Sequence, residues 1–408
     1  MIRPLEIGHR SETVRRANLS AIMREVHGAA GVSRSELGAR TGLTRSAIRR
    51  LIGELVGAGL VHESPAGPSG APGRPSPVVR SDPRSAVVLA FVVEVDSIAA
   101  AAVGLGGTIL AEERVERARG HLSVEDVVAD LVSLAARQQA AAEPIERFLG
   151  AAVAVVGTVR RSDGLVAMAP NLGWRDVPLG RLLEQELELP VAVANDADLG
   201  ALGEHRRGAA VGHSDVIFLS GEVGLGGGLI LRGAPFTGAS GFACEVGHVA
   251  LNPNGAACRC GASGCWETEV GEGRLLVRAG EPEDGGRAGV ERVLARAAAG
   301  DEVARAALDD LGRWLGIGVA GLVNIFDPEL IVLGARFERV FPWVIGPIAT
   351  ELSRRTVGGP RAVPRIVPTR LGADAALIGA AELALEPILA DPARWFHRTP
   401  HRQALASA

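Results

Sequence analysis

All four cysteines of this 408-residue chain, Cys244, Cys258, Cys260 and Cys265, fall within 22 residues, and that crowding constrains the fold more than any other feature. The last three follow His248 at +10, +12 and +17. Three thiolates and one imidazole complete a tetrahedral zinc with no open position, which is the donor set of a structural site. Gly261 and Gly264 let the backbone curl around an ion. Clustering of this kind in an intracellular chain argues for metal over disulfides. Cys244 lies off the spacing and reads as a small buried hydrophobe. One zinc per chain is expected, in a loop over 245–267.

The length calls for two or three domains. No apolar run approaches the roughly 20 residues that span a bilayer, and the segment MIRPLEIGHR lacks the apolar stretch of a signal peptide. A cytoplasmic protein without membrane contact is expected. All 43 basic side chains are arginine, which we read as a codon bias. The net charge of −4 hides an asymmetry. Residues 1–80 carry +6 and the remainder −10, as a small nucleic-acid-binding module on an acidic body would.

Helical spacing of Val14, Ala17, Leu19, Ile22, Met23 and Val26 predicts a first helix stopped by Gly28 and Gly31. Ser33 followed by Glu36 is a capping-box signature for a short second helix. Thr44 caps a third, whose apolar stripe is Ala47, Ile48, Leu51, Ile52, Leu55 and Val56. Arg45, Ser46, Arg49 and Arg50 lie on the opposite face. A helix, a turn at Gly42 and an arginine-rich helix give a helix-turn-helix, whose second helix presents short and guanidinium side chains to base edges. Residues 64–77, rich in Pro, Gly and Ser, form a linker or a wing loop. Within them Arg74, held between Gly73 and Pro75, suits a narrow minor groove. Thr44, Arg45, Ser46, Arg49, Arg50 and Arg74 are therefore the candidate DNA contacts.

From 85 onwards β-runs (VVLAFVVEV, a short strand at Thr108–Leu110, AAVAVVG, VAVAN, VIFLS, GLILRG and LIVLGA) alternate with amphipathic helices, an α/β pattern. The domains expected are a mainly α winged helix-turn-helix over 1–80, an α/β body over 85–390 and a loosely ordered tail over 391–408.

Glu245, Gly247 and His248, then Cys258, Cys260, Gly261, Gly264, Cys265 and Glu267, follow the pattern E-x-G-H … C-x-C-G-x-x-G-C-x-E. With PNLGW at 170–174 and NDAD at 195–198, the chain resembles the ROK family of repressors, open reading frames and kinases over nearly its whole length. The resemblance implies a two-lobed, actin-like fold of the hexokinase type with a sugar between the lobes. It implies sugar contacts at Asn171, Asn195, Asp196, Glu245, His248 and Glu267, side chains that can bridge adjacent hydroxyls. Asp196 matches the general base of the family's kinases. His248 would bind zinc through one ring nitrogen and a sugar hydroxyl through the other.

The phosphate loops depart from the kinase pattern. Where the family's kinases carry D-x-G-x-T, this chain has Val92-Val-Glu94-Val-Asp96, which places two carboxylates where phosphates are cradled. The second loop reads Glu222-Val223-Gly224. A sugar-responsive regulator, most simply a repressor, is therefore expected, without catalysis. Its partners are double-stranded operator DNA and a sugar or sugar phosphate, and it assembles as a homodimer or homotetramer. The alternative is a zinc-containing sugar kinase using ATP.

Overall fold

The computed structural model describes residues 11–65, 76–120, 123–145, 148–358 and 363–396. The N-terminal module contains α1 (Ser11–His27), β1 (Val32–Ser33), α2 (Arg34–Thr41), α3 (Arg45–Gly57), β2 (Val61–Ser64) and β3 (Val78–Ser81). Ser33 accepts from the Glu36 N–H while the Glu36 carboxylate reaches back to the Ser33 N–H, so the capping box is complete. Gly42 turns the chain in the left-handed conformation (φ 70°), and Thr44 accepts from the Ala47 N–H to start α3. β2 and β3 pair antiparallel, Val61 opposite Ser81 and Ser64 opposite Val78. With β1 on the other side of β3 they form a three-stranded sheet β1-β3-β2, and the segment read as linker or wing connects β2 to β3. Its residues 66–75, Arg74 included, lie outside the described residues.

The first lobe is built from β4 (Val87–Val93), β5 (Ser97–Gly104), β6 (Thr108–Glu116), α4 (Val124–Ala141), β7 (Phe148–Val155), β8 (Thr158–Arg160), β9 (Leu165–Ala169), β10 (Trp174–Val177), α5 (Leu179–Leu187), β11 (Val191–Asn195) and α6 (Asp196–Arg207). Its main sheet runs β11-β7-β4-β5-β6. β4 is buried at every residue, which explains its unbroken apolar sequence.

The second lobe contains β12 (Val216–Gly221), β13 (Gly226–Leu231), β14 (Ala234–Pro235), α7 (Trp266–Val270), α8 (Glu272–Arg278), α9 (Gly286–Ala298), α10 (Glu302–Phe326), β15 (Leu330–Ala335), α11 (Arg336–Arg355), β16 (Arg365–Pro368) and α12 (Ala375–Ala390). Its sheet runs β14-β13-β12-β15-β16. Helix α12 returns to pack on α6, β4 and β7 of the first lobe.

Three expectations are corrected. Val14, Ala17 and Val56 are exposed, because α1 and α3 each run a turn beyond the apolar stripe that is covered. The strand expected at Thr108–Leu110 extends to Glu116, since β5 offers it a full-length antiparallel partner. The tail is ordered at its start: Pro392–Trp395 form a 3₁₀ turn with Pro392 and Ala393 buried. The N-terminal module also packs directly on the body. Leu19, Met23 and Val26 of α1 share one hydrophobic cluster with Leu385, Ile388 and Leu389 of α12.

Candidate functional site

The cysteine loop is held in place by Trp266, which is buried in the second lobe and donates from its indole nitrogen to the Trp314 carbonyl at 3.0 Å. Gly318 makes room for it, since a Cβ there would lie 2.2 Å from the ring. Gly264 (φ 71°) touches the Asn252 carbonyl so closely that a Cβ would sit 1.7 Å from its oxygen. The ligand atoms of His248, Cys258, Cys260 and Cys265 all lie within 4.8 Å of one another. The Cys260 and Cys265 sulfurs are 3.7 Å apart and His248 Nδ1 is 3.6 Å from the Cys258 sulfur. With ordinary zinc–ligand lengths, a tetrahedron has S···S edges of about 3.8 Å and S···N edges of about 3.6 Å. The separations are far too long for a disulfide, and the donor set fits zinc. The Ala262 N–H holds the Cys260 thiol below its usual range, whereas burial pushes the Cys258 and Cys265 thiols up in the metal-free protein even though the Cys260 N–H donates to the Cys258 sulfur. Cys244 stands outside this group, half-buried, with its thiol pushed up to about 12 by burial.

Of the residues expected to face a sugar, Asp196, Glu245, His248 and Glu267 are electrostatic neighbours, since Glu245 acts on Asp196 and both His248 and Glu267 act on Glu245. Asn195 ends β11 and caps α6. Its Oδ1 accepts from the Ala197 and Asp198 N–H groups (2.8 and 3.1 Å), and its Nδ2 donates to the Gly157 carbonyl (2.9 Å). One N–H is left for a ligand. Asp196 opens α6, and its carboxyl is raised to about 7 by desolvation and by Glu94 and Glu245, against the pull of the first helical N–H groups. Asp198 is likewise raised to about 7, first by desolvation, with Arg161 opposing. Glu245 is raised by desolvation and bonded to Thr158. Glu267 faces the cysteine loop, accepting from the Cys258 thiol at 2.8 Å and lying 3.4 Å from His248 Nδ1. His248 therefore has its Nδ1 on the side of the cysteine cluster.

Asn171 accepts a 2.6 Å hydrogen bond from Arg259, which stands between two of the cysteines. This bridge from the second lobe to the first was missed in the sequence, because the residue between Cys258 and Cys260 carries no constraint of its own.

The two segments read in the sequence as phosphate loops meet beside Asp196, with Glu94 and Glu222 both acting on their neighbours there. Glu94 pairs with Arg114 (3.1 Å), and Asp96 with Arg119 (3.0 Å), which also reaches Glu272 (2.6 Å). Glu222 is raised to about 8 by desolvation and by the neighbouring Glu94 and Asp196. Behind them opens a cavity of about 390 Å³ lined by these carboxylates and by four arginines, Arg119, Arg287, Arg339 and the buried Arg336. Arg114 and Arg119 were also missed. They lie on β6 and the turn after it, with no local pattern to pair them with Glu94 or Asp96.

On the N-terminal module Arg15, Arg34 and Arg40 are paired with Glu54, Glu63 and Glu25. Arg45, Arg49 and Arg50 are exposed on α3 and, among the described residues, take part in no ion pair. Thr44 and Ser46 share a 3.1 Å hydrogen bond at the start of the helix.

The model of the ROK family matches residues 92–387. The glucokinase of Streptomyces coelicolor is 36% identical over 308 residues, which cover 71% of this chain and 95% of that protein. The xylose repressor of Bacillus subtilis is 27% identical over 377 residues, covering 92% of this chain and 97% of that protein. Among solved structures, a ROK family transcriptional regulator homologous to E. coli MLC superposes with a TM-score of 0.78 at 24% identity. It spans 95% of this chain and all of that one, a likeness of fold. The Streptomyces griseus ROK glucokinase in complex with glucose and AMPPNP gives 0.65 at 31% identity, covering 74% of this chain and 99% of that one. A cleft flanked by a Cys₃His loop, with a family match over most of the body, makes the assignment plain: this chain belongs to the ROK family.

Proposed function

We propose that the chain is a sugar-responsive, DNA-binding transcriptional regulator, a repressor in its simplest form, acting in the cytoplasm as a homodimer or homotetramer. The observation that carries this reading is the carboxylate cluster Glu94, Asp96 and Glu222 beside Asp196. A triphosphate needs close backbone approach and free positive charge at that place, and here acidic side chains stand in the approach while Arg114 and Arg119 are already taken up by Glu94 and Asp96. The match to a xylose repressor over 92% of the chain supports it, because it includes the module that the glucokinase match leaves out.

In this reading Arg45, Ser46, Arg49 and Arg50 meet operator DNA, with Arg74 in the wing and Thr44 spent on capping α3. Asn171, Asn195, Asp196, Glu245 and His248 line the sugar site. Glu267, which once zinc holds Cys258 as a thiolate no longer accepts from that thiol, joins them as a sugar contact, while zinc, held by His248, Cys258, Cys260 and Cys265, is structural. It fixes the loop that carries Arg259 and leads into Glu267. A closed cleft gains contacts to a sugar that an open one lacks, and that difference shifts the population of the two states.

The kinase reading keeps one observation in its favour: Asp196, with its carboxyl at about 7, is poised for general-base work at neutral pH. ADP release measured over a monosaccharide panel decides between them. No turnover above background is expected. Turnover that Asp196→Asn abolishes would establish the kinase.

A further inference from the structure

Helix α6 joins two places that the sequence keeps apart. It begins at Asp196 in the cleft and ends at Arg207, a span of about 18 Å for twelve residues. It is locked to α12 by backbone contact. A Cβ on Gly379 would lie 1.8 Å from the Leu199 carbonyl oxygen, and one on Gly203 2.2 Å from that of Ala375. Glu204, fully buried, ties α6 further to the start of that segment by accepting from the Arg370 and Leu371 N–H groups at 3.0 and 2.9 Å. Two helices in such contact move as one body.

The far end of this body grips the DNA-binding module. Arg207 donates from Nε to Glu382 Oε1 of α12 at 2.7 Å and from Nη1 to the backbone carbonyl of His27 at 2.8 Å. His27 is the last residue of α1. Its Nε2 lies 3.0 Å from Glu382 Oε2, and its Nδ1 accepts from the Gly106 N–H at 2.9 Å. Side-chain exposure is 4% for His27 and Glu382 and 17% for Arg207, so these bonds are made largely out of water. Arg24 with Glu386 (2.9 Å) and Ser20 with the Leu389 carbonyl (2.8 Å) extend the same seam.

We propose that the His27–Glu382–Arg207 cluster is the contact through which occupancy of the cleft reaches the DNA-binding module. The inference rests on the regulatory reading above. The three act as positioning residues: they touch neither sugar nor DNA, but fix the direction in which α1 leaves the body and hence where α3 stands. A shift of α6 at Asp196 is carried by the α6–α12 pair to Arg207 and Glu382. A buried network has discrete arrangements and does not deform continuously.

The test uses the full-length chain and two arms. In ligand-free protein, Arg207→Gln is expected to speed amide exchange at Gly106 and at the end of α1 at least tenfold, while exchange around Asp196 stays unchanged. In operator titrations with D-xylose and D-glucose as probes, a responding wild type is expected to change affinity by roughly 5- to 150-fold. Arg207→Gln should bind the same sugar with unchanged Kd and change operator affinity less than twofold, and Arg207→Lys should restore part of the response. Should Arg207→Gln not fold, Arg207→Lys decides alone, with a reduced response expected. Undisturbed exchange, or a variant whose operator response equals the wild type's at equal sugar occupancy, overturns the proposal. A wild type that answers neither sugar counts against the effector reading of the cleft, and the exchange arm still decides whether the cluster holds the module.

Discussion

Asp196 carries its carboxyl at about 7 in the folded chain against 3.8 in an exposed one. Below about pH 4 both states are protonated and the group costs nothing. As pH rises, the unfolded chain ionises first, and folding loses stability until the folded carboxyl also ionises near pH 7. Asp196→Asn removes that cost. We expect its melting temperature to exceed the wild type's by about 2 °C or more at pH 8, with the gain gone by pH 4. Thermal melts at the two pH values check this, and an equal effect at both would show that desolvation of the charge is not the cause. At Cys260 the expectation concerns the metal: Cys260→Ser should drop zinc from one equivalent to less than half by elemental analysis, while the N-terminal module keeps its fold. The ligand set was legible in the sequence because thiolates crowd together only for a reason. The finer roles were not. The hydrogen bonds of Asn195 to its own helix, and the turn of Glu267 towards Cys258, depend on backbone geometry that spacing does not encode.

At the scale of elements, helix starts were the most legible feature, since caps are local chemistry. Ser33→Ala and Thr44→Ala should each destabilise the module by about 1 kcal/mol, measured by denaturant melts of the full chain. The outer turns of α1 and α3 were misjudged at Val14, Ala17 and Val56, because periodicity marks a face and not how far the neighbouring elements cover it. The β6 extension was hidden for a related reason, as its half-exposed residues are ordered by pairing with β5. Helix α3 leaves Arg45, Arg49 and Arg50 without ion pairs among the described residues, whereas other arginines of the module are paired. Arg49→Ala and Arg50→Ala should each weaken operator binding. Each should lower the slope of log affinity against log salt by about 1 if it meets a phosphate. An unchanged slope together with unchanged affinity would remove that residue from the interface.

For the whole molecule, the α/β alternation and the ROK motifs made the two-lobed body legible, while the docking of the N-terminal module was not. Leu19, Met23 and Val26 meet α12 more than 350 positions away, and no local pattern announces such a contact. The same holds for Arg114 and Arg119, which pair with Glu94 and Asp96 from a separate strand and turn. These long-range arrangements distinguish a regulator from a kinase in our account, and the central claim is that cleft occupancy changes operator affinity. The direct measurement is a fluorescence titration of D-xylose and D-glucose into a labelled operator complex, for wild type and Asp196→Ala at fixed salt. Wild-type operator affinity is expected to shift roughly 5- to 150-fold with one of the sugars. Asp196→Ala should bind ligand-free operator normally and lose the shift at the same sugar concentration. An operator complex indifferent to both sugars, or an Asp196→Ala variant that responds as the wild type does, would contradict it.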